Sequence, residues 1–228
     1  MKASIIAIDG PAGSGKSALG ELLARRLGYL FFDTGVVYRT VTLIAQRRGV
    51  DVGDEASVAQ LARELSISVV KPTVDDGRQY SVFADGEDVT WQIFSPEVDG
   101  QVSVVSAHPE VRRVLLAQQR AIARRGDVVM VGRDIGTVVA PEADLKIYLD
   151  ASVEERAQRR YLQATSRGQE ADYDRILVNL RDRDRIDSGR AAAPLRVAEG
   201  AIVINTDDLS LQQELDMVCA LLGRVEGR

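Results

Sequence analysis

The sequence predicts an α/β fold built on a buried parallel sheet. Three observations carry this reading. Short runs that are apolar on both faces alternate with amphipathic stretches along most of the 228 residues. The first run, Ile5-Ile6-Ala7-Ile8-Asp9, feeds a glycine-rich turn from Gly10 to Ser17 that spells G-x-x-x-x-G-K-[ST]. One stretch, 67–90, breaks the rhythm with strand-like segments and the hairpin signals Asp76-Gly77 and Asp85-Gly86.

Taken in order, central strands are expected at 4–8, 29–32, 128–131, 145–149 and 201–204, each short, apolar and bounded by a helix or turn signal. Helices are expected at 16–27, 36–48, 55–65, 109–124, 153–164, 172–187 and 211–222. The first of these follows the glycine-rich turn and sets Leu19, Leu22, Leu23 and Leu27 at helical spacing. Segments 67–70, 79–84 and 87–90 read as a small antiparallel meander inserted between β-α units, a candidate flap over a second substrate.

The turn from Gly10 to Ser17 has the composition of a triphosphate cradle. Its glycines let successive backbone N–H groups converge on phosphate oxygens, Lys16 adds a point charge, and the Ser17 hydroxyl is placed to hold magnesium. This establishes nucleotide binding and leaves kinase, ATPase and switch protein open.

Composition narrows the rest. With 45% hydrophobic and 28% charged residues, the chain reads as one domain able to bury its own core. A net charge of -5 argues against general affinity for nucleic acid. The only cysteine, Cys219, allows no intrachain disulfide and reads as a small core residue on the last helix. The single histidine, His108, and the single cysteine together argue against a zinc site, so the expected metal is Mg2+. The apolar run ending at Asp9 is too short for a signal peptide or a membrane span, and the expectation is a cytoplasmic protein, compatible with a monomer.

Phosphoryl transfer depends on positioning and on cations around the transferred group. Arginines are abundant: Arg39 after Asp33-Thr34-Gly35, Arg133 in Gly132-Arg133-Asp134 just past a central strand, and Arg156, Arg159 and Arg160 along one helix. Ligands bind at the ends of the central strands of an open parallel sheet, which favours Arg133 and Asp134 over the others. In 181–185 the arginines read as a helix face laced with weak ion pairs, whereas Arg190 lies in a loop where no helical pairing explains it. His108, before Pro109, reads as an exposed loop residue and not as a general base. A phosphate monoester needs no such base, because its second pKa of about 6 leaves it a dianion at neutral pH.

At this point the residues carry a resemblance. Asp9-Gly10-Pro11-Ala12-Gly13-Ser14-Gly15-Lys16, Asp33-Thr34-Gly35-Val36-Val37-Tyr38-Arg39, Gly132-Arg133-Asp134-Ile135-Gly136-Thr137 and Arg190-Ala191-Ala192-Ala193-Pro194-Leu195 closely resemble the bacterial cytidylate kinase family, in the same order and over essentially the whole chain. The resemblance implies a P-loop kinase fold with an adenylate-kinase-like core: a five-stranded parallel sheet with flanking helices, an inserted antiparallel subdomain within 66–108 and a short lid within 156–170. It implies ATP as donor, Mg2+, and CMP and dCMP as acceptors. Gly10, Pro11, Ala12, Gly13, Ser14, Gly15, Lys16, Ser17 and Ala18 would form the donor-phosphate loop, joined by Arg156 and Arg160. Arg39, Arg133 and Arg190 would hold the acceptor phosphate, with Lys16, Arg133 and Arg190 as the catalytic cations. Thr34, Arg112 and Asp134 would read the base, and Ser103, Arg183 and Asp187 would face the sugar. Two positions depart from the family pattern: Ala18 follows the loop hydroxyl where Ser or Thr is expected, and Thr34 replaces serine.

The alternatives are another P-loop small-molecule kinase acting on UMP or a different acceptor, and a GTP-dependent switch. The switch requires a guanine-reading Asn-Lys-x-Asp segment, and the sequence has none.

Overall fold

The computed structural model describes residues 4–166, 168, 170–190 and 192–226. The expected turn Ser166-Arg167-Gly168 and the segment from Arg190 to Leu195 each include a residue outside these, Arg167 and Ala191. In chain order the elements are β1 (Ile5–Asp9), α1 (Lys16–Leu27), β2 (Leu30–Asp33), α2 (Gly35–Arg47), α3 (Glu55–Glu64), β3 (Ile67–Val70), β4 (Ser81–Ala84), β5 (Glu87–Asp88), α4 (Pro96–Ala107), α5 (Pro109–Ala123), β6 (Val128–Gly132), β7 (Leu145–Asp150), α6 (Val153–Ser166), α7 (Tyr173–Gly189), β8 (Ile202–Asn205) and α8 (Leu211–Glu226). Single turns of 3-10 helix at Gln92–Phe94 and π-helix at Ile135–Val139 complete them.

All five central strands form one parallel sheet in the order β2-β6-β1-β7-β8. The interior strands are the apolar ones: Ile6 and Ile8 of β1 and Val128, Val129 and Met130 of β6 are fully buried. At the edge, β8 buries only Ile204. Asp144 Oδ2 accepts the N–H groups of Ser4 and Ile5 at 2.8 and 2.9 Å, fixing where β1 enters the sheet.

The chain divides into two units, 28–128 and the remainder. In the remainder, α1 buries Leu19 and Leu23, the stripe its spacing predicts, and α8, which buries Leu215 and Val218, packs on it. Ser210 and Gln213 cap the start of α8 reciprocally, Oγ accepting from Gln213 N at 3.3 Å and Oε1 from Ser210 N at 2.9 Å. Cys219 on α8 is only half-buried, which corrects its reading as a core residue.

Within 28–128, β3, β4 and β5 form the expected antiparallel sheet. Asp85 and Gly86 both take positive φ, 49° and 86°, as a two-residue hairpin turn with right-handed strand twist requires. Asp76-Gly77 does not make a second tight hairpin. It lies in the long connection between Val70 and Ser81, where the Asp76 carboxylate instead takes N–H groups from Arg78 and Trp91.

Helix α4 was not legible. It buries just Val98 and Val105, seven residues apart, and carries Gly100 in its interior, so its apolar period is faint. It forms because Ser95 caps it, Oγ accepting from Val98 N at 3.3 Å, and Pro96 sits in its first turn. His108 closes α4 and opens α5. Its Nε2 lies 2.8 Å from Val52 O and the ring is half-buried, so it is a structural joint and not an exposed loop residue. Among the described residues no helix is long and apolar enough to cross a membrane.

Candidate active site

The phosphate loop leaves β1 at Gly10, where φ is +148° and any Cβ would lie 2.1 Å from the Leu149 carbonyl oxygen. Only glycine fits this approach. Ala12 then inserts into a small apolar cluster with Ala157 of α6 and Leu180 of α7, and Arg156 of α6 donates to the Ala12 carbonyl at 2.9 Å. Lys16 is buried, and its Nζ donates to Pro11 O at 2.5 Å and to the fully buried Ser14 Oγ at 3.2 Å. The ammonium is therefore held over the turn, close to where phosphate oxygens meet the loop's N–H groups. Ser17 and Ala18, in the first turn of α1, are exposed.

At the end of β1, Asp9 accepts two backbone N–H groups, Ile135 N at 2.8 Å and Gly136 N at 2.7 Å. This clamp holds the π-helical turn that follows Gly132-Arg133-Asp134, a wide turn of a kind found at functional sites. Burial pushes the Asp9 carboxyl up from 3.8 to about 6, with the Asp134 charge adding to the rise and the backbone donors and Lys16 opposing it. The folded chain thus holds this proton more tightly than the unfolded chain. Between about pH 4 and 6 folding takes up a proton, and the group's contribution to stability falls as pH rises through that window. In Asp9→Asn the melting temperature relative to wild type is expected to shift in the variant's favour by about 5 °C from pH 4 to 6. A difference that stays flat across the window would contradict the buried, proton-holding carboxyl.

Past β6, Arg133 Nε donates to Asp187 Oδ2 at 2.9 Å, and the other carboxylate oxygen faces Arg190 Nη1 at 3.5 Å. Arg190 Nε donates to Ala193 O at 2.6 Å. One buried carboxylate on α7 therefore gathers two of the three guanidinium groups expected on the acceptor phosphate. Contrary to the sequence expectation, a helical spacing does explain Arg190: α7 runs on to Gly189, so Asp187 and Arg190 pair at i,i+3. Asp134 is buried, and Arg183 and Arg160 are exposed. Arg156 is buried with its donors on protein, Nε to Ala151 O and Nη1 and Nη2 to Asp184 at 3.1 and 2.5 Å. In this arrangement it braces the phosphate loop from behind. Both Arg181 and Arg185 make exposed ion pairs, but only Arg185 pairs along its own helix face, with Asp182; Arg181 reaches across to Glu154 of α6.

The unit 28–128 carries the other predicted residues. Thr34 is buried and leads into α2, where Asp33 Oδ1, and not the Thr34 hydroxyl, accepts Gly35 N at 2.9 Å. Arg39 of α2 pairs with Asp99 of α4 at 2.5 Å. Arg112 of α5 is buried, lies 5.4 Å from the centre of the Tyr38 ring and donates to Ser106 O at 3.2 Å. Ser103 is exposed on α4.

Sequence reasoning did not foresee the acidic partners of the arginines. Asp184 and Asp187 continue the inward-facing stripe Ile176, Leu177, Leu180 of α7, so the period of that stripe was an available signal. Glu214 had none. It is buried on α8, and a methyl group on Gly15 would lie 3.7 Å from its Oε2. Burial pushes its pKa up, partly opposed by Arg159. Arg159 itself grips the end of β8, donating to Thr206 Oγ1 at 3.0 Å and to the Thr206 carbonyl.

No group of three or more His, Cys, Asp or Glu among the described residues is placed to hold a metal. Both oxygens of Asp9 are taken by backbone donors. The exposed hydroxyl of Ser17 beside Lys16 suits a hard ion that draws most of its ligands from nucleotide phosphates and water.

Comparison with known proteins agrees with this geometry. A family model described as cytidylate kinase matches residues 6–224. A cytidylate kinase from Chloroflexus aggregans is 52% identical over 213 residues, covering 93% of this chain and 91% of the relative. One from Herpetosiphon aurantiacus is 49% identical over 218 residues, covering 96% and 93%. A crystal structure of shikimate kinase from Bacteroides thetaiotaomicron superposes with a TM-score of 0.50 at 14% identity, covering 96% of this chain and 98% of that one, which speaks to the fold alone. On the phosphate loop, the Asp9 clamp, the paired arginines and the extent of these matches, the chain belongs to the cytidylate kinase family.

Proposed function

We propose that this protein transfers the γ-phosphoryl group of ATP to CMP and dCMP, giving ADP with CDP or dCDP. The observation that carries the reading is Arg133 and Arg190 gathered on Asp187, a cationic pair suited to a phosphate dianion. An acceptor that is already a dianion asks for cations and not for a general base. Family membership supports the same substrate class.

In this reading the loop from Gly10 to Ala18 cradles the donor phosphates, and Lys16 brings its charge to the transferred group. Arg156 and Arg160 serve the donor side. Arg39, Arg133 and Arg190 hold the acceptor phosphate and withdraw charge from it as the new bond forms. Asp134, Thr34 and Arg112 read the cytosine, and Ser103, Arg183 and Asp187 face the sugar. Ser17 would hold Mg2+, which when bound neutralises charge on the β- and γ-phosphate oxygens. The segment 66–108 forms the acceptor-binding insert and 156–170 the lid. Closing them around both substrates excludes the water that competes for the γ-phosphate.

The test is ADP release from ATP and magnesium with CMP, dCMP, UMP, AMP, GMP and no acceptor, run in parallel. Release that requires CMP or dCMP, with UMP much slower, is the expected result. Equal rates across acceptors, or release with none, would retain the phosphate loop and discard the acceptor assignment.

A further inference from the structure

We propose that Asp99 of α4 is a positioning residue for the acceptor phosphate. It pins one amino group of Arg39 and leaves the opposite edge of the guanidinium for the ligand. The proposal rests on the assignment of Arg39 to that phosphate and adds what aims it.

All the interactions of Arg39 lie on one side of its guanidinium. Nη1 donates to the Ile93 carbonyl at 3.2 Å and meets Asp99 Oδ1 at 2.5 Å, while Cζ lies over the Phe94 ring, 5.1 Å from its centre. Among the described residues Nε and Nη2 have no partner. These two are the parallel donors of a guanidinium edge, the geometry that grips two phosphate oxygens at once. A flexible arginine held at one corner and stacked on a ring keeps that edge in a fixed direction. Without the anchor it samples many.

The anchor is itself secured. Gln46, two turns along α2 from Arg39, donates to the Glu97 carbonyl at 2.9 Å and to Gln101 Oε1 at 2.8 Å, so α2 and α4 are stitched on either side of Asp99. Ser103 lies four residues beyond Asp99 on the same helix, hence on the same face. The residue that aims the phosphate-binding arginine and the residue assigned to the sugar are thereby carried on one rigid element.

Asp99 is 55% exposed at its side chain, so its hold on Arg39 is that of a hydrated pair and its effect is moderate. A carboxylate beside Arg39 also has an opposite use, as an internal anion that competes with the phosphate, and the two roles differ in sign. In steady-state assays of the full chain, Asp99→Ala is expected to raise the KM for CMP about three- to fivefold, with kcat and the KM for ATP within about twofold of wild type. Asp99→Asn keeps an oxygen acceptor at the same place and is expected to restore most of the loss. A rise confined to the KM for CMP supports positioning. A fall in that KM, no change, or an equal effect on kcat or on ATP overturns it. Arg39→Met separates the proposal from the reading beneath it. If Arg39→Met leaves the KM for CMP unchanged, the assignment of Arg39 fails. If it raises that KM while Asp99→Ala does not, only the role of Asp99 fails.

Discussion

Replacing Lys16 with alanine is expected to slow CMP phosphorylation by at least about 100-fold while leaving the melting temperature within a few degrees of wild type. The two halves of this expectation come from different features. In the proposed reading Lys16 carries the one ammonium that the loop brings to the transferred phosphate, and removing a group that stabilises developing charge costs about 10²- to 10³-fold in kcat. Two of its hydrogen bonds, however, are local, to Pro11 O and Ser14 Oγ within the same turn. Each such bond is worth about 1 kcal/mol, and their loss is offset in part because a buried ammonium no longer has to be desolvated. Turnover in the ADP-release assay and a thermal melt of the same sample check both halves. Wild-type turnover in the variant would remove the basis for reading this turn as the phosphate site.

The second large effect is expected at Asp134. Cytosine offers an exocyclic amino group where uracil offers a carbonyl oxygen, so an ionised carboxylate attracts the first and repels the second. In Asp134→Ala the CMP over UMP preference in kcat/KM is expected to fall by about 10- to 100-fold, the range of a charge-assisted hydrogen bond, with the KM for ATP little changed. Because the Asp134 charge is one of the causes that raise the Asp9 pKa, the substitution also relieves repulsion at the buried clamp. A thermal melt of the same variant separates lost selectivity from a weakened fold. An unchanged preference between the two pyrimidines would end the assignment of Asp134 to the base.

The parts of the molecule written in local chemistry were legible in advance. The phosphate loop, the five central strands and the Asp85-Gly86 hairpin each depend on residue types at fixed short spacing, and each stands where expected. Long-range pairing was not legible, because a carboxylate in a sequence does not declare which guanidinium it meets. Asp187 was named only as facing the sugar, and its grip on Arg133 spans 54 residues. Asp184 was read as part of a solvated face, yet it holds Arg156 behind the loop. Helix α4 escaped because its stability comes from its cap and from its seam with α2, while its own apolar pattern is thin. Arg190 was misread for a boundary reason: extending α7 by two residues converts an unexplained loop cation into an ordinary i,i+3 partner.

The seat of Ala12 has a consequence for the order in which this protein loosens. Helices α6 and α7 each bury only two residues, Arg156 and Ala157 in one, Leu180 and Asp187 in the other. A helix pair with so little interior is the kind of segment that opens ahead of the sheet, as its own cooperative unit. Ala12 lies in that pair's apolar cluster and its carbonyl is held by Arg156, so the phosphate loop draws its rigidity from those helices as well as from β1. When the helices separate, the loop is freed while the strands behind it remain paired. Amide protons of the loop are then expected to exchange with solvent at the rate set by the helices, and the grip on phosphate is expected to be lost before the sheet unfolds.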